Sequence, residues 1–306
     1  MEGYHKSVLV KEVLDILNIK HGSWYLDCTF GDGGHSLRVL KSGGKVIGLD
    51  VDPQAIGRAE KRLHEAGYSG QDFRLIQGNF RDLKNLIQKQ TDIADQKIAG
   101  AIFDLGVSSL QLDSPERGFS FNKLGPLDMR MDPDLGVRAL DLVNILSRKE
   151  LYELFNSLGE EKYSKRLADT LVRAREVKKF ETTLELAGLI ERALGGRREK
   201  IHPATKVFQA LRMVVNDELG ALEEGLESVK DLIEERGRII VISFHSLEDR
   251  MVKNTFKKWQ EMSLGKRLMQ KPVIPGSEEI YDNPRSRSAK MRGFEIDDYY
   301  KRNLKL

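Results

Sequence analysis

The chain has 306 residues, 40% hydrophobic and 32% charged, with a net charge of +3. This composition suits a soluble globular protein, either two domains or one domain with a large insertion. No run approaches the roughly 20 apolar residues of a membrane span, and a single cysteine, Cys28, excludes an internal disulfide. The first residues, with Glu2, His5, Lys6 and Lys11, lack the apolar stretch of a secretion signal, so a cytoplasmic location is expected.

The first hundred residues alternate strands and helices. Trp24–Cys28 reads as a strand, followed by the glycine turn Gly31-Asp32-Gly33-Gly34 and a short helix through Leu37, Val39 and Leu40. Lys45–Leu49 is a second strand. Asp52-Pro53 then starts a helix, with Asp as N-cap and Pro at the first position. Ile56, Ala59, Leu63 and Ala66 mark one face of it. Phe73–Ile76 is a third strand, a helix runs through Leu83, Leu86 and Ile87, and Ile98–Phe103 is a fourth strand. This order predicts a parallel sheet covered by helices on both faces.

The next clear strand is Arg238–Ser243, after a helical stretch from about Thr205 to Glu235 that supplies the crossover. Residues 113–203 are too many for a loop. They carry helical patterns at Leu151–Phe155, Tyr163–Arg175 and Leu184–Leu194. We therefore expect a discontinuous α/β domain, 1–112 with 204–306, and an inserted helical domain, 113–203. Leu264–Arg292 reads as a long loop.

Positive charge is clustered. Lys162, Lys165, Arg166, Arg173, Arg175, Lys178 and Lys179 form one group, Arg197, Arg198, Lys200 and Lys206 a second, and Arg285, Arg287, Lys290 and Arg292 a third. Such clusters either track a phosphate backbone or form a solvated face and tail.

Ligands of open α/β sheets sit at the carboxyl ends of the strands. Here those ends carry Gly31, Gly33, Gly34 and His35, then Asp50, then Asn79 and Phe80, then Asp104. Each has a plainer reading: glycines make turns, acids cap helices and Phe80 fills core. Asp52 is better placed than Asp50 to cap, which frees Asp50 for a ribose diol. A dinucleotide would need G-x-G-x-x-G, but the sixth position is Ser36, and Asp32 sets a negative charge in the turn. Asp27, Asp32, Asp50 and Asp104 suit a cationic sulfonium ligand, S-adenosylmethionine.

Several long segments make the likeness specific: 29–36 (TFGDGGHS), 50–56 (DVDPQAI), 104–113 (DLGVSSLQLD), 116–121 (ERGFSF), 125–131 (GPLDMRM), 202–205 (HPAT) and 243–250 (SFHSLEDR). Together they resemble the bacterial ribosomal RNA small subunit cytosine-N4 methyltransferase family (RsmH/MraW), almost from end to end. The resemblance implies a class I, Rossmann-like S-adenosylmethionine methyltransferase sheet with an inserted all-helical domain that recognises RNA. It implies methylation of the exocyclic N4 of a cytidine in the decoding region of 16S rRNA. It places the cofactor on Gly33, Gly34, His35, Asp50, Phe80, Asp104 and Gln111. Thr29 stands where the general class I pattern has its first glycine, as is usual in this family.

Methyl transfer to N4 needs an acceptor that localises the amine lone pair. DNA amino-methyltransferases use an Asp/Ser/Asn-Pro-Pro-aromatic motif, whereas this chain has Asp104-Leu105-Gly106-Val107. The candidates are Asp104, Ser108 and then His245; the alternatives are that Asp104 holds the cofactor's methionine part, that Ser108 stabilises a loop, and that His245 orients substrate or bonds Asp249 as structure. The base must be flipped out to reach the cofactor. Arg117, Phe119 and Phe121 either grip RNA or pack as core. No histidine spacing suggests a metal. The expected partner is 16S rRNA or the small subunit, without a membrane, and a homodimer stays open. An NAD-linked enzyme and a non-enzymatic RNA-binding factor are the competing readings.

Overall fold

A computed structural model describes Tyr4 and residues 6–90, 92–94, 96–196 and 202–297. The chain divides into two units, Met1–Gly106 with Leu219–Leu306, and Val107–Glu218. The first unit begins with α1 (Val10–Leu17), β1 (Trp24–Asp27), α2 (Gly34–Lys41), β2 (Lys45–Asp50), α3 (Pro53–Glu65), β3 (Phe73–Gln77), α4 (Leu83–Gln88) and β4 (Ile98–Asp104). The second unit carries α5 (Ser109–Asp113), α6 (Ala139–Ile145), α7 (Arg148–Ser157), α8 (Ser164–Val177), α9 (Thr183–Leu194) and α10 (Thr205–Val215). The chain then returns through α11 (Glu218–Leu232), β5 (Ile233–Ser243), α12 (Ser246–Glu261), β6 (Gly265–Arg267), α13 (Ser277–Asp282) and β7 (Lys290–Ile296).

The seven strands form one sheet in the order β3-β2-β1-β4-β5-β7-β6. Strands β1 to β5 run parallel, with Tyr25 opposite Val46 and Ala101 opposite Ile239. Strand β7 runs against β5, with Ile240 opposite Gly293. The chain winds outward from β1 to β3 and then crosses back to β4. The strand order therefore reverses between β1 and β4, which is where an open α/β sheet offers a ligand crevice.

Burial explains the strands. All of β4 except Asp104 is buried, as a strand covered on both faces requires. Successive residues point to opposite faces. Leu26, Ile47, Phe103 and Val241 join one core, with Leu222 of α11 and Phe256 and Trp259 of α12. Tyr25, Val46, Ile102 and Ile240 join the other, with Val13 of α1 and Leu63 of α3. Phe256, Trp259 and Phe294 meet in pairs at 5.4 Å and pin α12 to β7. Each such ring contributes on the order of 2–3 kcal/mol by burial.

Three expectations are corrected. Strand β5 starts at Ile233, not Arg238. The helical stretch expected to run to about Glu235 ends at Leu232, Arg236 takes a left-handed conformation (φ 59°), and the irregular register between Ile98 and Gly100 absorbs the extra residues. Residues 264–292 are not one long loop, because β6, α13 and the start of β7 lie there, with Val273 and Met291 forming a bridge. Helix α10 belongs to the second unit, so that unit spans 107–218 where 113–203 was expected. Its Val207, Phe208, Ala210 and Leu211 lie in that unit's core beside Leu151, Phe155, Leu167, Leu171, Leu186 and Ile190. The crossover from β4 to β5 is then α11 alone.

Capping sets the ends of several helices. Asp52 accepts from the Gln54 N–H at 3.0 Å, as its place before Pro53 predicts. Ser147 with Glu150 and Thr182 with Glu185 form reciprocal capping boxes that start α7 and α9. No helix among the described residues is long and apolar enough to cross a membrane.

Candidate active site

The reversal between β1 and β4 carries a cluster of acids tied to backbone. The turn after β1 places Gly33 at φ 69°, in the left-handed region. A Cβ there would come 3.3 Å from Phe30 Cζ, so the backbone conformation favours glycine and the ring behind it leaves a side chain little room. Gly34 opens α2, with the Ser7 hydroxyl filling the space a side chain would need. Gly31 donates its N–H to Asp50 Oδ2 at 2.8 Å, and Asp52 donates to Asp50 Oδ1 at 2.9 Å. Asp50 at the end of β2 thereby holds the glycine turn.

Asp50 is also a perturbed acid. Burial pushes its pKa from 3.8 to about 6. The N–H groups of Asp52 and Gly31 oppose the rise, and the charges of Asp52 and Asp27 add to it. Asp27 is likewise raised by burial, against the hydrogen bond from the Ser36 hydroxyl at 2.7 Å.

Asp104 ends β4. Its N–H donates to Thr29 Oγ1 at 2.6 Å. Thr29 thus joins the turn after β1 to the end of β4, which accounts for threonine where the general pattern has glycine. His35, at the start of α2, brings Nε2 to 3.3 Å from Asp104 Oδ2. The contact lacks hydrogen-bond alignment and becomes an ion pair when the imidazole is protonated. Burial disfavours the imidazolium, but Asp104, then Asp27 and Glu279, outweigh it, and the His35 pKa is raised. Among the described residues, His35 Nδ1 and Asp104 Oδ1 are buried without a hydrogen-bond partner. Such orphaned polar atoms each cost on the order of 1–3 kcal/mol unless a ligand meets them. They fit a bound group that offers an acceptor to one and a donor to the other.

Gly33, Gly34, His35, Asp50 and Asp104 are therefore brought together in the first unit. Phe80 is nearby in sequence order at the end of β3, but it serves packing as well. Its ring stands edge-on to Phe103 at 5.5 Å, and a Cβ on Gly225 would approach it to 2.7 Å. Asp32 does not act as a free charge in the turn. It is buried and paired with Arg58 at 3.2 Å, and Arg62 binds its carbonyl. The expected repulsion of a pyrophosphate by Asp32 is thus removed.

Ser108 and Gln111 lie in the second unit, where they cap α5 for each other. Ser108 Oγ accepts from the Gln111 N–H at 3.2 Å, and Gln111 Oε1 accepts from the Ser108 N–H at 3.1 Å. His245 caps α12: Nδ1 accepts from the Glu248 N–H at 3.3 Å and Nε2 lies 3.1 Å from Glu248 Oε1. Its carboxylate neighbour is thus Glu248. Asp249, the partner considered from sequence, pairs with Arg292 at 2.6 Å and Lys290 at 3.5 Å.

Those pairs also divide the third basic cluster, since Lys290 and Arg292 are engaged in the fold while Arg285 and Arg287 are exposed. In the second cluster Lys206 donates to the Glu160 carbonyl at 2.9 Å. Arg197, Arg198 and Lys200 lie outside the described residues. The base-stacking role considered for Phe119 and Phe121 is not supported. Phe119 is buried in the second core, and Phe121 stacks on His202 at 4.6 Å and meets Phe208 edge-on. Arg117 donates to the carbonyls of Arg130 and Met131.

Two supporting residues were missed in the sequence. Phe30, 2% exposed, bonds the Leu49 carbonyl through its N–H and packs its ring against Gly48 and Gly33, bracing the turn from behind. Ser7 lies against Gly34. Neither belongs to a periodic pattern, although Phe30 stood inside the family-like segment.

The sequence model of the MraW methylase family matches residues 2–297. The chain belongs to the MraW methylase family. Ribosomal RNA small subunit methyltransferase H of Carboxydothermus hydrogenoformans is 44% identical, with 96% of this chain and 98% of that protein covered. The protein of the same name from Thermomicrobium roseum is 45% identical, with 95% and 93% covered. A solved rRNA methylase from Streptococcus thermophilus shares 13% identity at a TM-score of 0.45, covering 97% of this chain and 100% of that one. That likeness is too loose to carry an argument. The family and the strand order together make the sheet a class I, Rossmann-like methyltransferase sheet, and the dinucleotide alternative falls away.

Proposed function

We propose that the chain is an S-adenosylmethionine-dependent methyltransferase that methylates the N4 of a cytidine in the decoding region of 16S rRNA, acting on a flipped-out base in the cytoplasm. The observation that carries the reading is the Asp104 carboxylate, with Oδ2 beside His35 and Oδ1 buried without a partner at the strand reversal. The relatives' names support the rRNA substrate.

When bound, the cofactor supplies a methyl group on a sulfonium sulfur. Gly33, Gly34 and Phe80 would line it, and Asp50 would accept from its ribose diol. His35, made easier to protonate by Asp104, offers Nδ1–H to the carboxylate of the methionine part. Asp104 Oδ1 accepts an N4 hydrogen from the target cytidine, localising the amine lone pair and taking up positive charge as the bond forms. Ser108 is the second candidate for contact with the base. The capping geometry of His245 supports a positioning role for it. The second unit would hold the RNA.

The test has two arms. Nucleoside mass spectrometry of 16S rRNA from cells lacking the protein should show loss of N4-methylated cytidine, and an unchanged level would refute the substrate. In vitro, Asp104→Asn should lower kcat by about 10²–10⁴-fold, the range of a lost general base. Turnover within threefold of wild type would remove Asp104 from the chemistry.

A further inference from the structure

The second unit carries a cationic surface that neither its core nor its caps use. Helix α8 buries Ser164, Leu167, Ala168 and Leu171, which fixes its opposite face toward solvent. On that face Lys165, Arg166 and Arg173 are exposed, and in the turn that leads into the helix Lys162 is exposed and Tyr163 is 57% exposed. They line an open groove of about 530 Å³ together with Asp169 and Thr170. Among the described residues none of these four cations makes an ion pair. The groove's one acid, Asp169, is paired with Arg148 of α7, and Thr170 is turned to the Arg166 carbonyl. The groove therefore presents four uncompensated positive charges and one exposed aromatic ring. At 1.5 Å per residue the row from 162 to 173 is about 16 Å long, the axial length of about five stacked nucleotides.

We propose that the solvent face of α8 holds a single-stranded stretch of the RNA substrate, with Lys162, Lys165, Arg166 and Arg173 on the phosphates and Tyr163 stacked on a base. This rests on the reading of the chain as an rRNA methyltransferase and names the surface that would carry substrate outside the target nucleotide. A linear row of cations matches a polyanionic strand better than a compact anion. An exposed tyrosine among them favours an unstacked base, because duplex RNA is read by backbone shape and offers no open base face.

The experiment uses the full chain and a fluorescently labelled single-stranded RNA, followed by anisotropy across a salt series. The variant K162A/K165A/R166A/R173A should bind at least tenfold more weakly in 0.15 M salt. Its log-affinity against log-salt slope should shrink by about 2.8, from about 0.7 per phosphate contact. Tyr163→Ala should lose about tenfold with the slope unchanged. In methylation assays both should raise KM for RNA while leaving cofactor affinity as it was. Circular dichroism and Tm show whether the quadruple variant is folded, and the charge reversal R166E/R173E gives a second perturbation, of equal charge change at half the positions, that must move affinity in the same direction. Wild-type affinity and slope in a folded quadruple variant would overturn the proposal. So would equal binding of a duplex with Tyr163→Ala silent, or equal binding of poly-glutamate. If no N4-methylcytidine is made but the variants lose RNA binding, the substrate reading has failed and the α8 surface stands. Methylation with an unchanged KM in the quadruple variant means the reverse.

Discussion

Replacing Asp50 with asparagine separates the stability of the fold from the demands of its site. The wild-type carboxyl titrates near 6 in the folded chain against an ordinary 3.8, because it is buried. The unfolded chain therefore releases its proton first as pH rises. Stability from this group is greatest below 3.8, falls between 3.8 and about 6, and stays lower above that by about 3 kcal/mol. An amide does not ionise, so Asp50→Asn removes that penalty. It also has one acceptor oxygen, so the N–H of either Gly31 or Asp52 loses its partner, a pH-independent cost of about 1–3 kcal/mol. Urea denaturation of both proteins without cofactor, from pH 4 to 7.5, should show the variant gaining about 2.5 kcal/mol relative to wild type across that window. His35 and Asp27 titrate in both proteins, and their effects largely cancel in the difference. Calorimetry with S-adenosylmethionine at pH 7.5 should meanwhile show affinity falling tenfold or more, as the ribose acceptor and the turn's anchor are lost together. A difference in stability that stays flat from pH 4 to 7.5 would refute the account of Asp50.

Three further substitutions test the frame around the site. Thr29→Val keeps the shape but leaves the Asp104 N–H without its acceptor. It should cost about 1–3 kcal/mol and lower kcat more than it weakens cofactor binding, measured by denaturation and steady-state methylation. Phe30→Ala empties a buried site behind the glycine turn. A stability loss of about 3–5 kcal/mol and weaker cofactor binding are expected, and normal affinity in the folded variant would show that the turn needs no brace. His245→Ala removes a helix cap and should lower stability by about 1 kcal/mol, whereas His245→Asn, which can still cap, should restore it. Turnover that stays low in the asparagine variant would return His245 to the chemistry.

The parallel sheet was legible because its strands are short apolar runs between strong punctuators such as Asp52-Pro53. The capping boxes at Ser147 and Thr182 were present as S/T-x-x-E patterns and would have placed α7 and α9 within a residue. What stayed hidden depends on partners distant in sequence. Phe30 braces a turn only because Gly48 lies beside it, Lys290 and Arg292 are neutralised by an acid some forty residues earlier, and Asp32 is neutralised by Arg58. A charge in a sequence does not announce its counter-ion. Strand β5 starts earlier than expected because the polar residues before Arg238 continue a helical pattern in sequence, and only the pairing with β4 places them in the strand.

The insertion between Gly106 and Leu219 also sets an order of assembly. Strand β4 reaches its full length before Val107–Glu218 is synthesised, yet its partner β5 follows only afterwards. Until then the most apolar strand of the sheet keeps one edge unpaired, a hazard for aggregation. The intervening unit is continuous in sequence and helical, so its contacts are local and it folds quickly. Its collapse shortens the effective loop that β5 must close to reach β4, and loop closure is the entropic barrier to that pairing. A segment that would serve substrate recognition in the finished enzyme thus acts, during synthesis, as the clamp that brings the two halves of the sheet within reach.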